Sequence, residues 1–140
     1  MDVTKDDVAG ALRDALEEEG ELRERFPREW RVLHSLPGCA EQEFHYDYNP
    51  DRVEGRETPR CPLRKPASVC LALEDGARLR VYDRALGREE TVVLWAGDIL
   101  VFDGDVEHAG ARYCEPNTRV HVYLDVADLR RTRDYTWSRR

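Results

Sequence analysis

From Thr4 to Phe26 the apolar residues fall at helical spacing. Val8, Leu12, Ala15, Leu16, Leu22 and Phe26 make one stripe, the pattern of a helix that buries a single face. Thr4 is placed to cap it, with Asp7 three residues on and acidic residues crowding the first turn. Gly20 weakens the middle of the pattern and Pro27 ends it. After Pro27 the period changes to short β-like runs: 30–36, 42–48, 68–73, 78–82, 90–95, 99–102, 106–113 and 118–126. Turn signals separate them, such as Pro37-Gly38, Glu74-Asp75-Gly76 and Ala96-Gly97-Asp98. Eight short strands punctuated in this way predict an all-β sandwich or barrel behind one N-terminal helix. One long break interrupts them at 49–67, rich in proline and too polar for a strand. The basic end of the chain, 130–140, reads as a short helix followed by a loose tail.

Composition narrows the class. The length of 140 residues fits a single domain, 1–140. It divides into an N-terminal helix over 1–29, a β core over 30–126 and a basic tail over 127–140. The net charge of −7 argues against a general nucleic-acid binder, whose face would be basic. The longest apolar stretches run to a few residues, as in "ILVF" at Ile99–Phe102, so no membrane span is expected. The first residues, "MDVTKDDVAG", are acidic and lack the apolar core of a secretory signal. Cys39, Cys61, Cys70 and Cys114 form no C-x-x-C pair. Reduced thiols in a cytoplasmic protein are therefore the expectation.

The stretch "EFHYDYNP", Glu43–Pro50, places His45 and Asp47 two residues apart in a strand-like run. Residues i and i+2 of a strand point to one face. Two metal ligands would then aim at one point, although two solvated polar residues would show the same spacing. Iron(II) oxygenases use two histidines and one carboxylate on one face of the metal. The third ligand would come from His34, His108 or His121, and spacing alone leaves the three open. Strand parity puts Arg119, His121 and Tyr123 on one face, and Val120, Val122 and Leu124 on the other. The apolar set belongs against the other layer or the helix, which leaves the polar set to line a site. A buried arginine there needs an anion, and its planar fork suits a carboxylate.

Together these residues resemble a known family. The order is H-x-D at His45 and Asp47, then a histidine in "GDILVFDGDVEHAG", then an arginine in "RVHVY" eleven residues after His108. This is similar to the 2-oxoglutarate/Fe(II)-dependent oxygenases, and to their phytanoyl-CoA-hydroxylase-like branch in particular. The resemblance spans about residues 30–126. It implies an all-β double-stranded β-helix, a cupin-like jelly roll, with the N-terminal helix packed on one sheet. It implies that His45, Asp47 and His108 hold Fe(II) and that Arg119 binds the far carboxylate of the co-substrate 2-oxoglutarate. The reaction it implies is hydroxylation of an organic substrate by O2, with succinate and CO2 as co-products. Asp47 is present where a small residue would have pointed to a halogenase.

The remaining polar residues have less specific assignments. Ser68, Tyr82, Thr118 and Tyr123 each offer a hydroxyl to 2-oxoglutarate. His121 fits a neighbour of Arg119, His34 an early-strand residue, and Asp103 and Asp105 turn positions. The 49–67 loop directly follows His45 and Asp47 and so suits a lid. Its Arg52, Arg56, Arg60, Arg64 and Lys65 outnumber Asp51, Glu54 and Glu57, which points to an anionic substrate; a plain polar surface loop has the same composition. Two other functions compete. A cupin-like metal-binding protein without 2-oxoglutarate turnover would favour H-x-H and has no need of Arg119. A jelly-roll scaffold for protein or carbohydrate binding leaves the two-histidine, one-carboxylate set unexplained.

Overall fold

The computed structural model describes residues 5–138. Thr4, expected as the helix cap, lies outside them, as do Arg139 and Arg140 at the end of the tail. The first element is α1, Lys5–Glu18, with Asp6 and Asp7 in its first turn, where carboxylates oppose the positive end of the helix dipole. It ends earlier than the apolar stripe suggests. Gly20 takes a φ of +75°, its N–H donates to Glu17 O at 3.0 Å, and the Glu21 N–H reaches back to Leu16 O at 2.9 Å. That pair of bonds is a Schellman stop, which needs a left-handed residue and finds glycine. No helix of the described residues is long and apolar enough to cross a membrane.

Seven strands follow among the described residues: β1 Phe26–Ser35, β2 Ala67–Ala72, β3 Ala77–Asp83, β4 Arg88–Leu94, β5 Ile99–Asp103, β6 His108–Gly110 and β7 Asn117–Asp125. A one-turn helix, α2, spans Pro50–Val53. The strands form two antiparallel sheets, ordered β1-β7-β2-β5 and β4-β3-β6. This is the double-stranded β-helix, with its N-terminal helix on one sheet.

Alternation decides what each face of the larger sheet does. Val120, Val122 and Leu124 of β7 stand beside Leu71, Val69 and Ala67 of β2. With Leu12 and Leu16 of α1 they make one apolar cluster. Burying a leucine contributes about 2 kcal/mol, so these two anchor the helix. The opposite parity looks into the space between the sheets. There the ladder rows run Ala72–Arg119–Leu33, Cys70–His121–Arg31 and Ser68–Tyr123–Arg28. The β2 members are small, which leaves room above the sheet for a cavity.

Three stretches depart from the expectations of the sequence. The 42–48 run is no regular strand; it is extended and joins its neighbours by isolated bridges, His45 to His108 and Tyr46 to Trp137. The chain after β7 forms no helix among the described residues. It runs as an extended strap whose Trp137 exchanges both backbone bonds with Tyr46, at 2.7 and 2.9 Å. The strap can pair there because Tyr46 turns its backbone away from β6. The 49–67 loop is fastened down by the charges that suggested an anion-gathering lid. Arg56 pairs with Asp128, and Lys65 with Asp105 at 2.8 Å. Arg64 donates to Gly20 O and Arg23 O at 2.9 and 2.8 Å. Asp103 and Asp105, beyond shaping a turn, are the partners of Arg25 and Lys65.

Candidate metal centre and its cavity

His45 and His108 arrive from adjacent backbones, since the two residues bridge each other, with N–H to O distances of 2.9 and 3.0 Å. Asp47 follows two residues later on the same side. One ligand atom from each of His45, Asp47 and His108 lies within 4.8 Å of the others. His45 Nε2 is 3.7 Å from Asp47 Oδ1, and His108 Nε2 is 3.2 Å from Asp47 Oδ2.

Both imidazoles are oriented in the same way. His45 Nδ1 lies 2.9 Å from Glu43 O, and His108 Nδ1 lies 3.0 Å from Val106 O. A carbonyl can only accept, so each Nδ1 carries the proton and each Nε2 is directed to the shared point. Metal-binding histidines are commonly held this way, by a hydrogen bond from the ring nitrogen that does not ligate. Ser68 donates to Asp47 Oδ2 at 2.7 Å and fixes the carboxylate. Phe102 packs edge-on to His108, with ring centres 4.6 Å apart. Two neutral nitrogens and a carboxylate are the donor set that suits Fe(II) with positions left open.

The charges respond to this packing. Burial works against the Asp47 carboxylate, yet the hydrogen bond and charge of His108, the nearby His121 and the Ser68 hydroxyl outweigh it, and its pKa falls well below the usual range. Burial likewise opposes a charged His108, but the Asp47 hydrogen bond and charge prevail and its pKa rises. His45 shifts downward, mainly through burial. Burial pushes His121 down to about 4, so it stays neutral beside the triad at neutral pH. In the metal-free protein Asp47 therefore favours a proton on His108, and a metal competes with that proton. Zn(II) affinity is expected to rise with pH, about tenfold per unit, up to the raised pKa of His108 and to level off above it. A second proton, on His45, steepens the slope only at lower pH, below the ordinary histidine range, because burial lowers its pKa. Calorimetry in two buffers of different ionisation heat counts the protons released. None released near pH 6.5 would remove His108 from the ligand set.

The triad opens onto a cavity of about 220 Å³ between the sheets. Arg119, His121 and Tyr123 line it from β7, Cys70 from β2 and Leu79 from β3. Among the described residues Arg119 has no ion pair. Its Nη1 donates to Ser35 Oγ at 3.1 Å, and its guanidinium lies 5.0 Å from the ring centre of Tyr113. His34 lies elsewhere, with its Nδ1 2.7 Å from the Thr118 hydroxyl. Of the four hydroxyl candidates, Tyr123 lines the cavity and Ser68 serves Asp47, while Thr118 and Tyr82 face other surroundings. No residue of 49–67 reaches the cavity. Thr136 and Arg131 of the C-terminal strap do, and sequence reasoning passed over both. The one available signal was compositional, a basic segment following the last strand.

No protein-family model matches this chain, and no curated protein matches it. Solved structures do. The chain is similar to a Pseudomonas putida prolyl-4-hydroxylase, with 23% identity and a TM-score of 0.53, over 90% of this chain and 64% of that one. It is similar to the non-heme monooxygenase ThoJ in its nickel complex, with 16% identity and a TM-score of 0.58, over 87% and 52%. It is also similar to an oxalate decarboxylase of B. subtilis, with 18% identity and a TM-score of 0.51, over 79% and 23%. The chain thus spans less than two thirds of each of these proteins. At such identities the likeness establishes the fold. The phytanoyl-CoA-hydroxylase-like branch does not figure among these neighbours.

Proposed function

We propose that this protein is a non-haem Fe(II), 2-oxoglutarate-dependent oxygenase. The observation that carries the reading is one cavity that holds both a two-histidine, one-carboxylate group and a guanidinium with no carboxylate partner. A cation held in a sheltered wall without an anion is costly, and the far carboxylate of 2-oxoglutarate would supply that anion. His45, Asp47 and His108 would hold the metal. When bound, Fe(II) would supply the redox chemistry that couples oxidation of a C–H bond by O2 to conversion of 2-oxoglutarate into succinate and CO2.

The chain's own residues set the conditions for that chemistry. The Glu43 and Val106 carbonyls present each Nε2 to the metal, and Ser68 keeps Asp47 turned toward it. Arg119 orients the co-substrate by a paired hydrogen bond, a geometry an ammonium cannot copy. Leu33, Cys70, Leu79 and Phe102 make the wall apolar between these polar points, which strengthens each charged contact. Four free cysteines fit a reducing, cytoplasmic setting.

The cupin-like alternative shares the fold and the metal group, and it predicts a different spectrum. Anaerobic protein loaded with Fe(II) is expected to develop a visible charge-transfer band on adding 2-oxoglutarate, and then to release succinate in air. A metal-loaded protein that shows no band and no succinate would favour the cupin reading.

A further inference from the structure

The oxygenase reading employs the half-buried Arg119 and leaves a second guanidinium in the same cavity, a buried one, without a task. Arg131 follows the turn closed by the Val126–Leu129 bridge. Its backbone N–H donates to Oδ1 of the buried Asp125 at 3.0 Å. The side chain is 4% exposed, and its Nη1 donates to Glu29 Oε2 at 2.9 Å. The guanidinium carbon lies 4.0 Å from the ring centre of Tyr123. Nε is buried with no acceptor, and among the described residues Nη2 has none either. Nε and Nη2 form one edge of the fork, and that edge matches the two oxygens of a carboxylate. A buried donor without an acceptor is a cost that the fold keeps only where something else relieves it.

The support behind Arg131 points the same way. Glu29 sits where the β1–β7 register shifts, between Arg28 and Arg31, with a φ of +56°, a region that residues other than glycine seldom adopt. The bulge re-aims Glu29, whose carboxylate then holds Arg131 by one terminal nitrogen and leaves Nε and Nη2 without an acceptor among the described residues. This end of the cavity is separate from that of Arg119. Tyr123, under Arg131, is four residues along β7 from Arg119, about 13 Å at a strand's rise. Arg119 lies by Ser35 at one end of β1, and Arg131 by Glu29 near the other. The cavity also shares Gln42, His45 and Thr136 with an adjoining groove of about 430 Å³, completed by Glu43, Phe44 and Ser138. A molecule anchored at Arg131 has room to extend there past the triad.

We propose that the Nε–Nη2 edge of Arg131 binds a carboxylate of the primary substrate, so that the substrate is a carboxylic acid whose remainder runs past His45 into this groove. The word substrate rests on the oxygenase reading; the carboxylate subsite does not. The test uses Zn(II)-loaded protein saturated with 2-oxoglutarate, titrated with acetate while the arginine Nε–H signals are followed by ¹H–¹⁵N NMR. The Arg131 signal is identified by its loss in Arg131→Lys. Acetate is expected to move it saturably with 2-oxoglutarate still bound, and Arg131→Gln to weaken that binding at least about tenfold. Three results would overturn the proposal: an unmoved Arg131 signal, an equal response to uncharged acetamide, or displacement of 2-oxoglutarate by acetate. If 2-oxoglutarate leaves the Arg119 signal untouched while acetate moves that of Arg131, the oxygenase reading fails and the subsite stands.

Discussion

Replacing His108 with alanine is expected to lower Fe(II) affinity by on the order of a hundredfold or more, because the loss of a ligand should exceed the 10–100-fold typical of a lost supporting contact. The same change acts on the metal-free protein. It leaves the carboxylate of Asp47, 4% exposed, with the Ser68 hydroxyl and a distant His45. Removing one member of a buried ion pair costs roughly 3 kcal/mol or more. His45→Ala provides the contrast. His45 is more exposed and lies 3.7 Å from Asp47, so its loss should weaken metal binding to a similar extent with a much smaller effect on the metal-free melt. Metal titrations and thermal melts of both variants separate the two roles. If His108→Ala bound Fe(II) as well as the unaltered protein, the ligand set would be wrong, and His121, which lines the same cavity, would be the next residue to test.

Arg119→Leu is expected to weaken 2-oxoglutarate binding roughly a hundredfold or more while Fe(II) affinity barely changes. A hundredfold corresponds to about 2.8 kcal/mol, within reach of a paired, charge-assisted hydrogen bond in a sheltered wall. Arg119→Lys should fall between, since it keeps the charge and loses the fork. Stability should move the other way. Arg119 is held by one hydroxyl and one ring, and a leucine beside Leu33 removes a cation that lacks a partner in the ligand-free protein. The leucine variant should therefore melt no lower than the unaltered protein. Tight 2-oxoglutarate binding by that variant would remove the assignment. Arg80, paired with Glu89 and Glu41, is not free to replace it, whereas Arg78 lines the same cavity.

Much of this was legible along the chain because the signals were local. Alternation at 118–126 separated Arg119, His121 and Tyr123 from Val120, Val122 and Leu124, and the two sets do face the cavity and α1. The same period found seven of the eight runs as strands within a few residues. It overstated 42–48, where the aromatic and polar alternation is real but the backbone pairs only at single bridges. The spacing of His45 and Asp47 put two donors on one side, and the order of motifs singled out His108 for the third. The helix end at Gly20 was marked by glycine, although the apolar stripe ran on to Phe26.

The sequence by itself thus determined the strand and helix layers, the inward face of β7 and the shared side of His45 and Asp47, because strand parity and helical period are set within a few residues of each position. His108 came from the order of motifs in the family resemblance, since spacing left three histidines open. Tertiary structure alone decided which charges are spent on one another and which remain free. Arg56 is taken by Asp128 and Lys65 by Asp105, so the basic loop is a fastening and not a cover for the site. Arg131 meets Glu29 across 102 residues, and the strap brings Thr136 to the cavity by pairing Trp137 with Tyr46. An ion pair depends on where two distant side chains finish in space, and no period or spacing within one segment encodes that.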